Sequence, residues 1–135
     1  MTLLTKSFKQ EFSLEKRKSI SAKIRNRYKD RLPIIVERAP NSNVPDILKK
    51  KFLAPSNMIV QNFIMEIRKH LDTSNQSNEK ASIFLFVNKT NLPPSSQLLS
   101  NIYDKYKDED GFMYIVYSGE NTFGGLEPLE EEEEL

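Results

Sequence analysis

Few side chains in this sequence are suited to covalent or metal chemistry. The chain has 135 residues, no cysteine and one histidine, His70. Without cysteine it cannot form a disulfide framework, a thiolate zinc site, an iron–sulfur cluster or a cysteine nucleophile. No nucleophile–base spacing and no glycine-rich phosphate loop is present. We therefore expect a protein that is not an enzyme, holds no metal and uses no cofactor.

Charge is unevenly distributed along the chain. Residues 1–70 carry 16 Lys and Arg against 6 Asp and Glu, whereas residues 71–135 carry 4 against 13. The formal net charge is +1, but six acids follow Gly125, so a chain ending at Gly124 would carry +7. A basic first half favours acidic partners: peptides, anionic lipid or nucleic acid. The run Glu130 to Glu134 is typical of a solvated extension rather than a metal site.

Composition indicates one globular domain. The apolar fraction is 38% and the charged fraction 29%, which is ordinary for a soluble protein of this length. No apolar run approaches the roughly 18 residues needed to cross a bilayer, and the start lacks a signal peptide's apolar region. We expect a cytoplasmic chain that is monomeric in solution.

Apolar spacing in the first half predicts helical structure followed by two strands. Residues 1–12 suggest a short amphipathic turn or helix. A helix is expected over 14–28, capped by Ser13, and the runs 32–36 and 49–53 read as strands of a hairpin. The residues that recur at spacings of three and four, and so form one seam of this helix, are Leu14, Arg17, Ile20, Ile24 and Tyr28.

The second half alternates helices and strands. Helical spacing covers 57–71, and a nearly continuous apolar run over 82–87 predicts a central strand. A short helix carries the apolar residues of 98–103, and 112–117 is the last strand. Beyond it the composition of 118–135, rich in Gly, Pro and Glu, cannot form a packed core.

This order predicts an α+β fold of the ubiquitin-like β-grasp type, a four-stranded mixed sheet clasping a central helix, with additional N-terminal helices. We divide the chain into a short N-terminal helical segment (1–12), the ubiquitin-like domain with its N-terminal helix (13–117), a flexible tail (118–124) and an acidic extension (125–135).

Eleven segments of the sequence resemble the autophagy-related ubiquitin-like modifiers, the family that includes GABARAP. They occur in family order over most of residues 12–124, and end at an aromatic residue followed by glycine. The segments include Leu14-Glu15-Lys16-Arg17, Glu37-Arg38-Ala39-Pro40, Lys49-Lys50-Lys51-Phe52-Leu53, Phe86-Val87-Asn88, Lys105-Tyr106-Lys107-Asp108-Glu109-Asp110-Gly111-Phe112 and Phe123-Gly124.

The resemblance implies that the chain is made as a precursor. A cysteine protease would recognise Phe123 and cut between Gly124 and Gly125, so that the tail 118–124 ends in the processing glycine and the acidic extension 125–135 is removed. A ubiquitin-activating-type enzyme and a conjugating enzyme would then transfer the Gly124 carboxyl to phosphatidylethanolamine. The conjugate would be anchored on autophagosomes or related vesicles and support autophagosome formation.

The resemblance also implies a surface that binds cargo receptors through a short aromatic-x-x-aliphatic motif. A first pocket, between the N-terminal helix and the sheet, maps to Ile24, Pro33, Leu53 and Phe112. A second pocket, between the sheet and the central helix, maps to Phe52, Ala54, Pro55, Met58 and Phe63. A charged rim of Arg31, Lys49 and Lys51 would attract acidic residues that precede the motif.

Two positions depart from the family pattern. Glu66 replaces an aliphatic residue, which predicts a more polar or shallower second pocket. His70 replaces an arginine that is frequent there, which is expected to weaken one acidic contact and to make that contact depend on pH. Periodicity alone does not separate pocket lining from core packing, and the three lysines before Phe52 are also compatible with protection of a sheet edge or with a nuclear-localisation or phosphate-binding patch.

A different class of function stays open at this stage. A small basic α/β domain that binds nucleic acid is compatible with the basic first half and with the aromatic residues Tyr28, Phe52 and Tyr103. No recognisable nucleic-acid motif is present, so we expect no nucleic-acid partner.

Overall fold

The computed structural model describes residues 6–72 and 82–121. Within them four helices and five strands follow one another in the order predicted, apart from one additional strand. They are α1 (Phe8–Glu11), α2 (Leu14–Arg27), β1 (Arg31–Arg38), β2 (Lys51–Pro55), α3 (Val60–Lys69), β3 (Phe84–Val87), β4 (Thr90–Leu92), α4 (Leu99–Tyr106) and β5 (Met113–Ser118).

The five strands form one mixed sheet in the order β2-β1-β5-β3-β4. β1 pairs antiparallel with β2 and parallel with β5, and β3 pairs antiparallel with both β5 and β4. The register of the first hairpin sets Pro33 opposite Leu53 and Ile34 opposite Phe52. β2 therefore lies at one edge of the sheet, beside the central pair β1 and β5.

Alternation along β1 divides the core into two clusters, because successive side chains of a strand point to opposite faces. Leu32, Ile34 and Val36 face a large cluster formed with α3 and α4. Ile35 faces a small cluster that it forms with Phe8 and Phe112. The partly buried residues packed on the small cluster are Phe12, Ile20, Ile24 and Tyr114.

The predicted four-stranded sheet is wrong in its strand count, because the described part of the chain contains a fifth strand, β4. It escaped prediction because it has only three residues and runs directly into Pro93. The turn that forms it places Asn88 and Lys89 at φ of 49° and 65°. Such a two-residue turn favours Asn-Gly, and Lys89 does not give that signal.

The strand boundaries are displaced by one or two residues from those expected. β2 begins at Lys51 rather than Lys49 and ends at Pro55. A proline is tolerated there because β2 is an edge strand and the missing N–H lies at its unpaired side. The last strand reaches Ser118, which is 8% exposed, so the sheet includes the first residue of the predicted tail.

Candidate peptide-binding surface

The exposed edge of β2 presents backbone groups that no strand of the described chain satisfies. Val36 N–H donates to the Lys50 carbonyl at 2.8 Å. In an antiparallel ladder, hydrogen-bonded and non-hydrogen-bonded pairs alternate, so Phe52 and Ala54 direct their N–H and C=O groups toward β1. The backbone N–H and C=O groups of Lys51 and Leu53 consequently point away from β1, toward the free edge of the sheet. An extended peptide can pair with this edge as an additional strand.

A cavity of about 180 Å³ lies on the α3 side of this edge. It contains all five residues predicted for the second pocket. Its floor is aromatic: Phe52 and Phe63 are nearly buried and meet edge to face with ring centroids 5.6 Å apart. The lining residues are Arg31, Lys49, Phe52, Leu53, Ala54, Pro55, Met58, Phe63 and Glu66.

Cations surround the cavity. The Lys49 ammonium lies 5.0 Å from the centroid of the Phe52 ring, and Arg31 Nη1 donates to the Leu53 carbonyl at 3.4 Å. Lys51 is exposed at the start of β2. Two of the three predicted rim residues therefore line the cavity, and the third adjoins it on the strand. Such charges mainly accelerate the association of acidic ligands and make it sensitive to salt.

Glu66 and His70 modify this cavity. The Glu66 carboxylate lines it but is engaged by Lys69, whose Nζ lies 3.1 Å from Oε2. The His70 ring stands edge to face on Phe52, with centroids 5.4 Å apart, at the C-terminal end of α3. His70 is therefore half-buried beside the floor of the cavity rather than fully solvated.

The four residues predicted for the first pocket lie on the opposite face of the sheet. Pro33 and Leu53 are cross-strand neighbours, while Ile24 packs on the small cluster that contains Phe112. Pro33 and Phe112 are buried, whereas Ile24 and Leu53 are partly exposed. The Phe112 ring is met edge to face by Phe8, with centroids 5.0 Å apart, so the accessible wall of this pocket consists of Ile24 and Leu53.

The positions of the two pockets determine which peptide fits the edge. Side chains of an extended chain alternate between faces, so residues separated by three positions point to opposite faces about 10 Å apart along the strand. The first pocket lies on the α2 face and the second on the α3 face. A strand added to β2 therefore reaches the two pockets with side chains an odd number of positions apart, and the spacing i and i+3 of the expected motif meets this condition.

A buried polar cluster holds α2 against the sheet and so positions the first pocket. The Asp110 carboxylate is fully buried and accepts hydrogen bonds from Arg17 Nη1 at 2.6 Å and from the Tyr114 hydroxyl at 2.5 Å. Burial, with the Asp110 contact, raises the pKa of Tyr114, which keeps its proton as a donor. Ser21 donates to the Asp110 carbonyl. The sequence pattern gives no sign of this cluster, because Arg17 and Ser21 lie about 90 positions before Asp110 and meet it only in the fold.

The N-terminal segment covers the small cluster and is held by polar contacts. Ser7 caps α1 by accepting from the Gln10 amide. The Phe8 amide donates to Glu37 Oε2 at 2.8 Å, and Lys9 Nζ lies 2.7 Å from the Asp108 carboxylate. Burial tends to raise the pKa of Asp108, but the hydrogen bonds from Lys9 and from the Asp110 amide lower it below its usual value.

The residues predicted for cleavage and lipidation, Phe123, Gly124 and Gly125, lie outside the described part of the chain. The last described residues are anchored: Gly119 N–H donates to Ser42 Oγ at 3.0 Å, and the Asn121 carbonyl accepts from Asn91 Nδ2 at 3.2 Å. No helix within 6–72 and 82–121 is long and apolar enough to cross a membrane. In the same ranges, no group of three or more His, Asp or Glu side chains is arranged to hold a metal.

Comparison with known proteins gives matches over most of the chain. The family described as "Autophagy protein Atg8 ubiquitin like" matches residues 16–124. An autophagy-related protein 8-like protein of Dictyostelium discoideum is 81% identical over 124 residues, covering 92% of this chain and 98% of the relative. Autophagy-related protein 8 of the same organism is 56% identical over 118 residues, 87% of this chain and 93% of the relative.

Solved structures match the fold. Plasmodium falciparum Atg8, in complex with an Atg3 peptide from the same organism, is 39% identical with a TM-score of 0.77, covering 87% of this chain and 99% of that chain. Trypanosoma brucei ATG8 is 41% identical with a TM-score of 0.73, covering 90% of this chain and 100% of that one.

Proposed function

This chain belongs to the Atg8 family of ubiquitin-like autophagy proteins, and from that premise we propose that it acts as a lipid-conjugated adaptor. The family assignment identifies a ubiquitin-like modifier rather than an enzyme. The family assignment also argues against the alternative interpretation, a domain that binds nucleic acid. What remains to be assigned is which end of the molecule reacts and which surface recruits.

The reactive end is Gly124. A residue without Cβ fits a narrow enzyme cleft and leaves its carbonyl open to attack. A cysteine protease hydrolyses the bond between Gly124 and Gly125 and releases residues 125–135. The activating enzyme uses ATP to adenylate the new carboxyl, and a cysteine thiol displaces AMP to form a thioester, which passes to the conjugating enzyme. The amine of phosphatidylethanolamine then displaces that thiol and forms an amide. The lipid supplies two acyl chains at ~0.8 kcal/mol per buried CH₂, which suffices for stable anchoring on autophagic membranes.

The recruiting surface is the β2 edge. The observation that supports the proposal is a free strand edge with an aromatic-floored cavity on its α3 face and the partly exposed Ile24 and Leu53 on its α2 face, which suits an aromatic-x-x-aliphatic motif. The rim cations Arg31, Lys49 and Lys51 favour motifs preceded by acids. The Plasmodium falciparum relative was solved with an Atg3 peptide, and we assign this edge to a peptide of the corresponding conjugating enzyme as well as to cargo receptors.

Reconstituted conjugation tests the reactive end. The full chain is incubated with protease, activating enzyme, conjugating enzyme and phosphatidylethanolamine vesicles, and products are measured by intact mass. Gly124→Ala is expected to abolish the lipid adduct, while the matched Gly125→Ala variant is trimmed and conjugated. A lipid adduct on the Gly124→Ala chain would show that the reactive glycine is assigned wrongly.

Peptide titration tests the recruiting surface. Leu53→Arg places a charge at the wall shared by both pockets and is expected to weaken binding of an aromatic-x-x-aliphatic peptide more than about tenfold. The matched control is Leu48→Arg, the same change at a residue that is 71% exposed and outside the cavity lining. Equal peptide affinities of the two variants would show that β2 is not part of the binding surface.

A further inference from the structure

The untrimmed chain contains in its own tail the spacing that its groove selects. Phe123, Gly124, Gly125 and Leu126 follow one another, so an aromatic and an aliphatic residue are separated by two glycines. Acids flank the segment: Glu120 precedes Phe123 by three residues, and Glu127 and Glu130 to Glu134 follow. This charge complements the rim formed by Arg31, Lys49 and Lys51.

The end of β5 prevents the segment from reaching the groove of its own molecule. The Asn121 carbonyl is hydrogen-bonded to Asn91 on β4, and β4 and β2 are the two opposite edges of the sheet. Four strand spacings separate these edges by roughly 19 Å. From Asn121 to Phe123 the chain extends at most about 7 Å. The aromatic residue therefore cannot enter a pocket beside its own β2.

We propose that residues 123–126 of one untrimmed molecule dock on the β2 edge of a second copy, with Phe123 in one pocket and Leu126 in the other. This inference rests on the proposed function of that edge. The contact is heterologous, because tail and groove are different surfaces, so a docked pair still offers one free groove and one free tail. The two glycines lose conformational freedom on pairing, which makes the contact weak.

Trimming ends this association. The cut between Gly124 and Gly125 leaves Phe123 on the body and removes Leu126 together with six acids. The trimmed chain then has an open groove for receptors and no competing tail. Docking also places the bond to be cut between the two anchoring side chains, so a docked tail is protected from the protease and self-association slows trimming at high concentration.

Sedimentation velocity of the full chain tests the proposal. The unsubstituted chain is expected to show a weight-average mass that rises with concentration and falls with added salt. Leu126→Ala is expected to weaken association about tenfold or more. The matched control is Leu129→Ala, the same change at a tail leucine outside the motif spacing, and its association is unchanged.

Mixing two variants identifies the surfaces involved. Leu53→Arg keeps the tail but loses the groove, and the double variant Phe123→Ala, Leu126→Ala keeps the groove but loses the tail. Each alone is expected to stay monomeric, and their mixture is expected to form one-to-one dimers that grow no further. Higher assemblies in the mixture, or dimers of either variant alone, would overturn the head-to-tail contact.

An unrelated aromatic-x-x-aliphatic peptide, added to the same samples, separates this inference from the proposed function. If that peptide binds but the full chain stays monomeric, the tail contact is wrong and the groove assignment stands. If neither occurs, both are wrong. The full chain could instead stay monomeric and bind the peptide more weakly than the Leu126→Ala variant does. That result would show that the tail covers the groove of its own molecule, which also overturns the contact between copies.

Discussion

The two faces of the sheet are held by different forces. On the α3 and α4 face, a continuous apolar cluster buries residues such as Ile67 and Ile102 almost completely. On the α1 and α2 face, the buried hydrophobic cluster is small and consists of Phe8, Ile35 and Phe112, and polar contacts complete the attachment. The first face therefore supplies most of the hydrophobic stabilisation, while the second depends on a few specific hydrogen bonds and ion pairs. The candidate peptide groove lies where the two meet, at β2.

The largest effect is expected at Asp110, on the polar face. Asp110→Ala leaves the Arg17 guanidinium largely buried without its carboxylate and removes the acceptor of Tyr114. Loss of one partner of a buried pair costs roughly 3–5 kcal/mol of unfolding free energy. Urea unfolding measures the loss, and Asp104→Ala, at an exposed position of α4, serves as the control. A loss below ~1 kcal/mol would show that this face does not depend on the cluster.

A smaller or comparable effect is expected in the apolar core. Ile67 is 0% exposed, and Ile67→Ala should reduce the unfolding free energy by roughly 2–5 kcal/mol. The same substitution at Ile24, which is half-buried on α2, should cost clearly less, since less apolar surface and a smaller cavity are involved. Both are measured by chemical unfolding. Equal losses would contradict the division between the two faces.

Detachment of α1 is expected to be local. Phe8→Ala removes the aromatic contact to Phe112, but α1 has only four residues and can open without the rest of the domain. We expect a loss of global stability below ~2 kcal/mol. Amide hydrogen exchange of Gln10 and Glu11, which donate to the Ser7 carbonyl, should accelerate strongly. Phe12→Ala, at a partly exposed neighbour, is the milder comparison. Unchanged exchange would mean that Phe8 does not hold the helix.

The smallest effect is expected when acidic pH weakens the contact between Asp108 and α1. Because the folded state lowers the pKa of Asp108, this carboxylate stabilises the protein above the usual Asp pKa of about 3.9, and the contribution is lost as pH falls through the folded pKa. The Lys9 pair is partly exposed, so the change should stay below ~1 kcal/mol. Exchange at α1 between pH 5 and pH 3 measures it, and Lys9→Met should reduce the dependence. An identical pH profile for both chains would exclude the pair.

Apolar spacing was sufficient for the helices and four of the five strands, because at α3 and along β1 it reflects burial directly. The residues expected around the groove came instead from the family resemblance, and those of the second pocket line one cavity. The sequence did not reveal the hairpin at Asn88-Lys89, whose turn lacks the expected glycine. The Asp110 cluster was also missed, since its members Arg17 and Tyr114 come together only through tertiary structure. The sequence did not show whether Phe112 and Pro33 are buried in the core or line a pocket, because both positions are apolar and lie beside the same helix.

The proposed function depends most on the assignment of Gly124 as the residue that carries the lipid. Intact-mass measurement of the protein recovered from starved cells tests this most directly. The account predicts a chain that ends at Gly124, lacks residues 125–135 and is heavier by the mass of one phosphatidylethanolamine less one water. Recovery of only full-length, unmodified chain from cells with an active conjugation cascade would contradict it.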